Sequence, residues 1–259
     1  MSSPYIFDTA QERERERLLA QASMWDPVTF RRIEGTGIAE GWRCLEVGGG
    51  AGTVVRRLAD RVGATGHVVA TDIEPRWLRE LAGPTVQVLK HDVTTDPLGT
   101  SVYDLIHLRL VLAHMPDPAG VIDRLRTALV PGGRLLIEEY DLRTLPVCDP
   151  PDATWQRVAA TPAELLSKAG AHPDMGGRLT GLLHAAGLAD VDTEAIALPR
   201  RVPQVQAWRA QFAELRDRLI EAGLVSAGEV DKVIADFDDA ACDLIVYGPT
   251  LVSAHGRKP

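Results

Sequence analysis

Between residues 41 and 140 the chain alternates short apolar runs with segments of helical periodicity. The apolar runs predict five β-strands, at residues 42–47, 67–72, 85–92, 103–110 and 133–140. Helices are predicted between them, at residues 53–61, in a short turn from Glu74, and at about 119–129. Apolar strands that alternate with helices are typical of a parallel sheet covered on both faces. The carboxyl ends of these strands then lie along one edge, where ligands bind.

The segments on either side of this region have other patterns. Residues 11–22 are rich in helix formers and contain opposite charges three apart: Glu12/Arg15, Arg13/Glu16 and Glu14/Arg17; the predicted helical segment continues to residue 32. Because like charges also lie four apart, we interpret this run as a solvated helix face. Beyond a Pro-rich loop after residue 143, helices are predicted at 162–169, 176–186, 204–222 and 227–241, and strand-like runs at 191–202 and 244–255.

Together these patterns predict an α/β fold with a Rossmann-like, doubly wound, seven-stranded and mostly parallel sheet and a helical lid. We divide the chain into an N-terminal helical cap (1–40), a Rossmann-like core (41–142), and a last region (143–259). In that last region a late hairpin, interrupted by helices, completes the sheet and supplies the lid around a substrate pocket.

Charge and cysteine content narrow the possible partners. The 259 residues carry a formal net charge of −8, which argues against a nucleic-acid ligand and weakly against an anionic membrane surface. The three cysteines, Cys44, Cys148 and Cys242, form no CxxC pair, so neither a disulfide framework nor a metal site is expected. With no signal-like segment or membrane-length apolar run, we expect a cytoplasmic protein.

A glycine-rich loop joins the first predicted strand to the first helix of the core. It is Glu46-Val47-Gly48-Gly49-Gly50-Ala51-Gly52, an ExGxGxG pattern. Glycines there allow a tight turn and a close approach of the backbone to a ligand. A dinucleotide-binding loop has GxGxxG spacing instead, and a carboxylate beside it would repel a pyrophosphate. The loop therefore favours a ligand with an ammonium group, although a tight turn without a ligand is the simpler alternative.

Two acidic residues end the next strands. Asp72 closes the second strand, where a carboxylate can accept hydrogen bonds from both hydroxyls of a ribose. Asp92 follows the third strand and could accept from an adenine amino group. Each also has a plain structural interpretation, as a helix cap or a turn residue.

These features in combination resemble the class I methyltransferases that use S-adenosylmethionine (SAM). The likeness rests on ExGxGxG, the acidic end of the second strand, HDV at 91–93, DLIHLRLVLAHMPD at 104–117 and LVPGGRLLIEE at 129–139. It is strongest to the group that methylates ubiquinone, menaquinone and many secondary metabolites. The resemblance covers residues 41–140 and implies that the Rossmann-like core binds SAM.

The resemblance implies a role for each matching residue. Glu46 would lie near the methionine amino group, directly or through water, and Arg109 would offer that group its backbone carbonyl. Gly48 and Gly50 would pass under the methionine and ribose. The remaining roles are ribose binding by Asp72, adenine packing by Ile73, and contact with the adenine edge by Asp92 and Val93.

Three side chains are candidates for catalysis. His114 follows the fourth strand, but its family counterpart is usually a structural histidine, and Ala113 stands where relatives carry Glu. Tyr140 ends the fifth strand at the ligand edge, and His172 lies in the predicted lid. Because the leaving group of SAM is already excellent, a base is needed only if the acceptor must lose a proton. Three tryptophans (Trp25, Trp155 and Trp208) are candidates for the core or for an aromatic substrate wall.

The sequence thus predicts a SAM-dependent methyltransferase that transfers a methyl group to an O, N or C atom of a small molecule. The expected partner is that small-molecule substrate, with neither nucleic acid nor membrane; a homodimer is compatible with the sequence. Three alternatives stay open: a nicotinamide oxidoreductase, a SAM-binding protein that catalyses another reaction, and a non-enzymatic SAM sensor.

Overall fold

A seven-stranded sheet runs through the computed structural model, which describes residues 12–144 and 147–259. In chain order the strands of both sheets are β1 (Arg43–Val47), β2 (His67–Asp72), β3 (Val86–Lys90), β4 (Tyr103–Arg109), β5 (Leu129–Asp141), β6 (Val147–Asp149), β7 (Ala189–Ile196), β8 (Pro199–Arg201), β9 (Ile245–Tyr247) and β10 (Thr250–Arg257). The large sheet has the order β3-β2-β1-β4-β5-β10-β7. Its first five strands are parallel, and β10 is antiparallel to both β5 and β7. The predicted fold class is confirmed.

Helices cover the sheet on both faces. In chain order the helices are α1 (Glu12–Gly35), α2 (Thr53–Val62), α3 (Pro118–Ala128), α4 (Ala153–Lys168), α5 (Met175–Ala185), α6 (Gln206–Glu221) and α7 (Ala227–Asp238), of which α1, α2, α3 and α5 cover the sheet. Residues of α3 and α5 pack on one face with inward side chains such as Ile106 and Ile137. Residues of α1 and α2 pack on the other face with Cys44 and Leu105. Alternation of side chains along each strand thus supplies a core to both faces.

The lid contains a small sheet that the sequence patterns do not predict. Strands β6, β9 and β8 pair antiparallel in that order and lie with α4, α6 and α7. Each of the two late strand-like runs, 191–202 and 244–255, is divided between the two sheets. The break falls before Pro199 in the first run and at Gly248-Pro249 in the second, because proline has no N–H to continue a ladder. Below, "the lid" means α4, α6, α7 and this small sheet.

The first lid helix begins earlier than predicted. We expected the loop to extend to about residue 155 and a helix to start at Pro162, but α4 starts at Ala153. The side chain of Asp152 caps it by accepting from the backbone N–H of Trp155 at 2.8 Å. Pro162 lies inside the helix. The cap outweighs the tendency of proline to begin a helix rather than sit within one.

The charged run in α1 is not a uniformly solvated face. Glu14 and Arg17 are buried, and the Arg17 guanidinium donates to both carboxylate oxygens of Glu14 at 2.7 Å. Arg15 and Glu16 are exposed. The side chains of Glu12 and Arg13 and all of residues 1–11 lie outside the described residues. The interpretation of the run as a solvated face is therefore wrong for Glu14 and Arg17, which pack over the sheet edge.

Among the residues that the structure describes, three buried clusters form the cores. Two lie on the two faces of the large sheet, and the third joins the lid elements through large side chains that include Trp155, Phe212 and Phe237. Over residues 12–144 and 147–259, no helix has the length and apolar character needed to cross a membrane.

Candidate functional site

A cavity of about 310 Å³ lies at the carboxyl edge of the large sheet. This volume is within the usual range for a small-molecule site. The wall includes all but one of the site residues predicted from the sequence: Gly48, Gly50, Asp72, Ile73, Asp92, Val93, Arg109, His114, Tyr140 and His172. Glu46 is the exception. The cavity extends from the glycine loop to the lid and is roofed by α1.

The glycine loop leaves β1 in a backbone conformation that side chains rarely adopt. Gly48 has φ 68° and Gly50 has φ 51°. A Cβ on Gly48 would overlap the side chain of Val111, whereas a Cβ on Gly50 would extend into space, 3.5 Å from Leu18 of α1. The loop therefore gives the cavity a floor of bare backbone that a ligand can approach closely.

Asp72 lies beside this loop with half of its acceptor positions still available. Its Oδ2 accepts from the Gly50 N–H at 3.1 Å, and its Oδ1 accepts from the Glu74 N–H at 2.9 Å. A carboxylate has about four acceptor positions, so two are left for ligand hydroxyls. Burial raises the pKa of Asp72, while the bonds from Glu74 and Gly50 act in the opposite direction. The site is suited to a diol such as a ribose.

The far side of this half of the cavity combines an exposed apolar side chain with a turn. Ile73 is 53% exposed and presents an apolar surface to the cavity. Asp92 accepts from both the N–H and the hydroxyl of Thr94 through Oδ1, at 2.8 and 2.6 Å, and the hydroxyl bond lowers its pKa. Asp92 is thus a turn residue as well as part of the cavity wall, and Val93 is buried next to it.

Arg109 connects the sheet to the roofing helix. Its guanidinium donates to the hydroxyl of Thr29 at 2.7 Å and to Oδ1 of Asp26 at 3.0 Å, both on α1. The same Asp26 oxygen accepts from the hydroxyl of Thr53, which follows the glycine loop. The family resemblance implies a role only for the backbone carbonyl of Arg109. The structure adds that its side chain fixes α1 above the loop.

Glu46 points away from the cavity wall into a buried polar cluster. Its Oε2 lies 2.6 Å from Nδ1 of His107, whose Nε2 lies 3.4 Å from Oε2 of Glu138. The three residues occupy adjacent strands on the face covered by α1, and none is more than 3% exposed at the side chain. In this placement His107 takes the carboxylate, and the contact of Glu46 with a methionine amine, directly or through water, stays a prediction.

Burial alone would lower the pKa of His107, but the charges and hydrogen bonds of the two carboxylates outweigh it. The result is a pKa raised to about 9, so the imidazole is positively charged at neutral pH. Sequence reasoning missed this cluster. The available signal was a histidine within the apolar run DLIHLRL, level with a glutamate in the neighbouring strand.

The three candidate catalytic side chains share one part of the cavity. The Tyr140 hydroxyl accepts from Nε1 of Trp25 at 2.7 Å and from Nε2 of Gln21 at 3.4 Å, and burial raises its pKa. His114 ends the turn after β4, and the backbone N–H of His172 donates to Ala113 in that turn at 2.8 Å. Nδ1 of His172 lies 3.2 Å from the Arg178 guanidinium.

Lid aromatic residues complete this end of the cavity. Trp155 is 1% exposed and its ring centroid lies 6.3 Å from that of Trp208; both are on the cavity wall with Phe212. Trp25 is fully buried in α1. Trp155 therefore fits both interpretations, core residue and pocket wall, because it belongs to the lid core and also lines the cavity. Within the described ranges no group of His, Cys, Asp and Glu is arranged to hold a metal ion.

Comparison with known proteins gives concordant results. A family model for a methyltransferase domain matches residues 10–193. Methyltransferase str2 of Strobilurus tenacellus is 27% identical over 224 residues, which are 85% of this chain and 80% of that protein. The ubiquinone/menaquinone biosynthesis C-methyltransferase UbiE of Ectopseudomonas mendocina (strain ymp) is 31% identical over 117 residues, 42% of this chain and 45% of UbiE. The solved structure of YcgJ from Bacillus subtilis superposes with a TM-score of 0.59 at 15% identity, covering 88% of this chain and 97% of YcgJ.

Proposed function

Because the chain belongs to the class I SAM-dependent methyltransferase family, we propose that its cavity binds SAM beside a small-molecule acceptor and transfers a methyl group to an O, N or C atom of that acceptor. The observation that carries this proposal is the single cavity that begins at the glycine loop and Asp72 and ends at the lid aromatics. One end suits a nucleoside and the other an organic acceptor.

The chain's own residues fit the nucleoside end. Gly48 and Gly50 present bare backbone, and Asp72 keeps two acceptor positions for the ribose hydroxyls. Ile73 offers an apolar surface to the adenine ring, next to Asp92 and Val93. The carbonyl of Arg109 is proposed for the methionine amine. Glu46 is proposed to act on the amine only indirectly, because its carboxylate is engaged by His107.

When bound, SAM supplies a methyl carbon attached to a sulfonium. The sulfur leaves as a neutral thioether, which makes the displacement favourable. The protein's part is to hold the acceptor in line and to exclude water. The roof of α1 and the lid aromatics serve both purposes, since they enclose the acceptor end of the cavity. Flat, apolar acceptors of the kind found in secondary metabolism suit such a wall. UbiE is by name a C-methyltransferase, but its match covers less than half of either chain and does not specify the methylated atom.

Calorimetric titration with S-adenosylhomocysteine tests the binding step. We expect saturable binding to the wild type and a loss of affinity of at least about 100-fold in Asp72→Ala, because two hydrogen bonds to a charged group together contribute about 3–6 kcal/mol. Asp72→Asn keeps one oxygen for the Gly50 N–H and separates loop damage from loss of the ribose contact.

Asp60→Ala serves as the matched control, because Asp60 is exposed on α2 and lies off the cavity wall. A folded wild-type protein that binds NADH and no S-adenosylhomocysteine would overturn the proposal. Tight binding with no transfer to any acceptor would instead favour another reaction or a sensor.

A further inference from the structure

Glu139 is a buried carboxylate with two unequal oxygens. It is 1% exposed, and Oε1 accepts from the backbone N–H groups of Val111, Leu112 and Ala113 at 2.9, 2.5 and 3.3 Å. Within the described part of the chain Oε2 receives no hydrogen bond. The fold nevertheless does not enclose this oxygen completely. Because Glu139 lies on the cavity wall, Oε2 is the oxygen that faces the cavity.

The position of Glu139 places it at the junction of the two ends of the cavity. The Val111 side chain occupies the space beside Gly48 that a Cβ would take, and the Val111 N–H donates to Glu139. Val111 therefore connects the carboxylate to the glycine loop, through its backbone N–H on one side and its side chain on the other. On its other side, Tyr140 and His172 line the acceptor end. A group at this junction is beside the atoms that would react.

The backbone holds this carboxylate rigidly. Leu110 turns the chain sharply after β4 with φ 59°, and its N–H donates to the Glu138 carbonyl at 2.8 Å. The three N–H groups that follow converge on Oε1. A side chain fixed in this way meets the geometric requirement for a proton acceptor, which must be positioned before it can act.

From this geometry we propose that Glu139 is the general base of the reaction and that the acceptor is a phenolic hydroxyl. The inference rests on the proposed function. The acceptor oxygen forms a bond to the methyl carbon, the carbon–sulfur bond breaks with its electron pair on sulfur, and the hydroxyl proton passes to Oε2. Transfer to an amine needs no base at the moment of attack if the amine is already neutral, so a fixed carboxylate is best explained by a hydroxyl.

The electrostatic surroundings support this assignment. Burial raises the pKa of Glu139 to about 8, against the opposing effect of the three backbone donors. Titratable and charged groups on the elements packed against it include Arg109 at the end of β4, His114 after β4, His172 and Asp174 before α5, Arg178 on α5, and the Asp141–Arg143 ion pair at the end of β5, with Tyr140 beside it. A base with this pKa is mostly protonated at pH 7, and it becomes able to accept a proton from an acidic hydroxyl as the pH rises through about 8.

The test begins with methyl transfer from SAM to matched pairs of phenols and anilines that share one ring system. We expect methylation of phenols. In Glu139→Gln the amide oxygen still accepts from the three N–H groups, so S-adenosylhomocysteine affinity stays within about threefold while kcat falls about 100-fold. In the wild type kcat rises with pH through about 8, and the variant lacks this rise. Glu164→Gln, an exposed position on α4, is the matched control.

A readout without turnover accompanies the assay. Infrared difference spectra of the unliganded protein, taken across a titration through about pH 8, contain a carboxylic-acid band that is absent in Glu139→Gln. The inference would be overturned if the enzyme methylated anilines but no phenol, or if it methylated neither. An unchanged pH profile in the variant would also overturn it. Failure of the wild type to bind S-adenosylhomocysteine would instead overturn the proposed function on which it rests.

Discussion

At the scale of single residues, His107 is the centre of a buried ionic cluster. Its fully buried ring lies between the carboxylates of Glu46 and Glu138, and Thr29 of α1 donates to the same Glu138 oxygen. Removing one member of a buried ionic cluster leaves uncompensated charge, which costs several times more than loss of an exposed pair. We expect this cluster to contribute to stability in a pH-dependent way.

The sign follows from the raised pKa. A histidine whose pKa is about 9 in the folded chain and 6.5 otherwise stabilises the fold fully below about pH 6.5, and this contribution is lost as the pH rises through about 9. Chemical denaturation of the wild type should therefore give a free energy of unfolding that declines over this interval.

In His107→Gln the decline should be smaller, and the variant should be less stable than the wild type at pH 7 by about 3 kcal/mol. His184→Gln, at an exposed position on α5, provides the comparison. Equal pH dependence in the two variants would show that the ring is not the titrating group.

At the scale of elements, α1 is fixed by side chains that reach the sheet rather than by apolar contact alone. Asp26 joins Arg109 at the end of β4 to Thr53 at the start of α2, and Trp25 donates to Tyr140. These contacts connect the roof, the glycine loop and the acceptor end. The position of α1 and the shape of the cavity are therefore coupled.

Asp26→Ala tests this coupling. Losing the acceptor for a guanidinium and a hydroxyl should weaken the docking of α1 by about 2 kcal/mol. Faster amide exchange in α1 and a several-fold loss of S-adenosylhomocysteine affinity should follow. Glu16→Ala, at an exposed position on the same helix, should change neither. Unchanged exchange in Asp26→Ala would mean that apolar packing suffices.

The lid is an element with its own core, and it can be weakened separately. Phe237 is 1% exposed, lies off the cavity wall, and has ring centroids 6.2 Å from those of both Trp155 and Phe212. Phe237→Ala should destabilise the lid by about 3–5 kcal/mol.

Because this cluster is distinct from the two sheet cores, cofactor affinity should survive in Phe237→Ala while acceptor turnover falls. Hydrogen exchange resolved by segment, together with S-adenosylhomocysteine titration, measures both. Phe237→Leu, which keeps most of the volume, should have a smaller effect. Equal loss of protection in the sheet and lid would contradict the separation.

At the scale of the whole molecule, sequence patterns predict the sheet better than the lid. Each core strand is a short, mostly apolar run that alternates with helical segments, so the pattern alone identifies it. The small sheet eluded prediction because β6, β8 and β9 have only three residues each, too few to define a period. Pairing between residues 147 and 247 depends on tertiary contacts that no local pattern encodes.

The candidate site divides in the same way. Residues next to glycines or at strand ends, such as Gly48 and Asp72, lie on the cavity wall because their position follows from local structure, and their binding roles stay predictions. Glu139 and His107 were not assigned, since their environments are made by residues distant in the chain. The burial of Glu14 and Arg17 likewise depends on where α1 packs.

The place of β10 in the sheet has a consequence for biosynthesis. This strand lies between β5 and β7, yet the entire lid precedes it in the chain, and Asp141 finds its partner only at Thr250. During translation β5 must therefore remain an open edge, with one row of N–H and C=O groups unpaired, while the next hundred or so residues are added. Closing so distant a pairing is slow, and an open edge can recruit a strand from a neighbouring nascent chain. The interval between synthesis of β5 and of β10 is when a polypeptide of this topology most needs a chaperone.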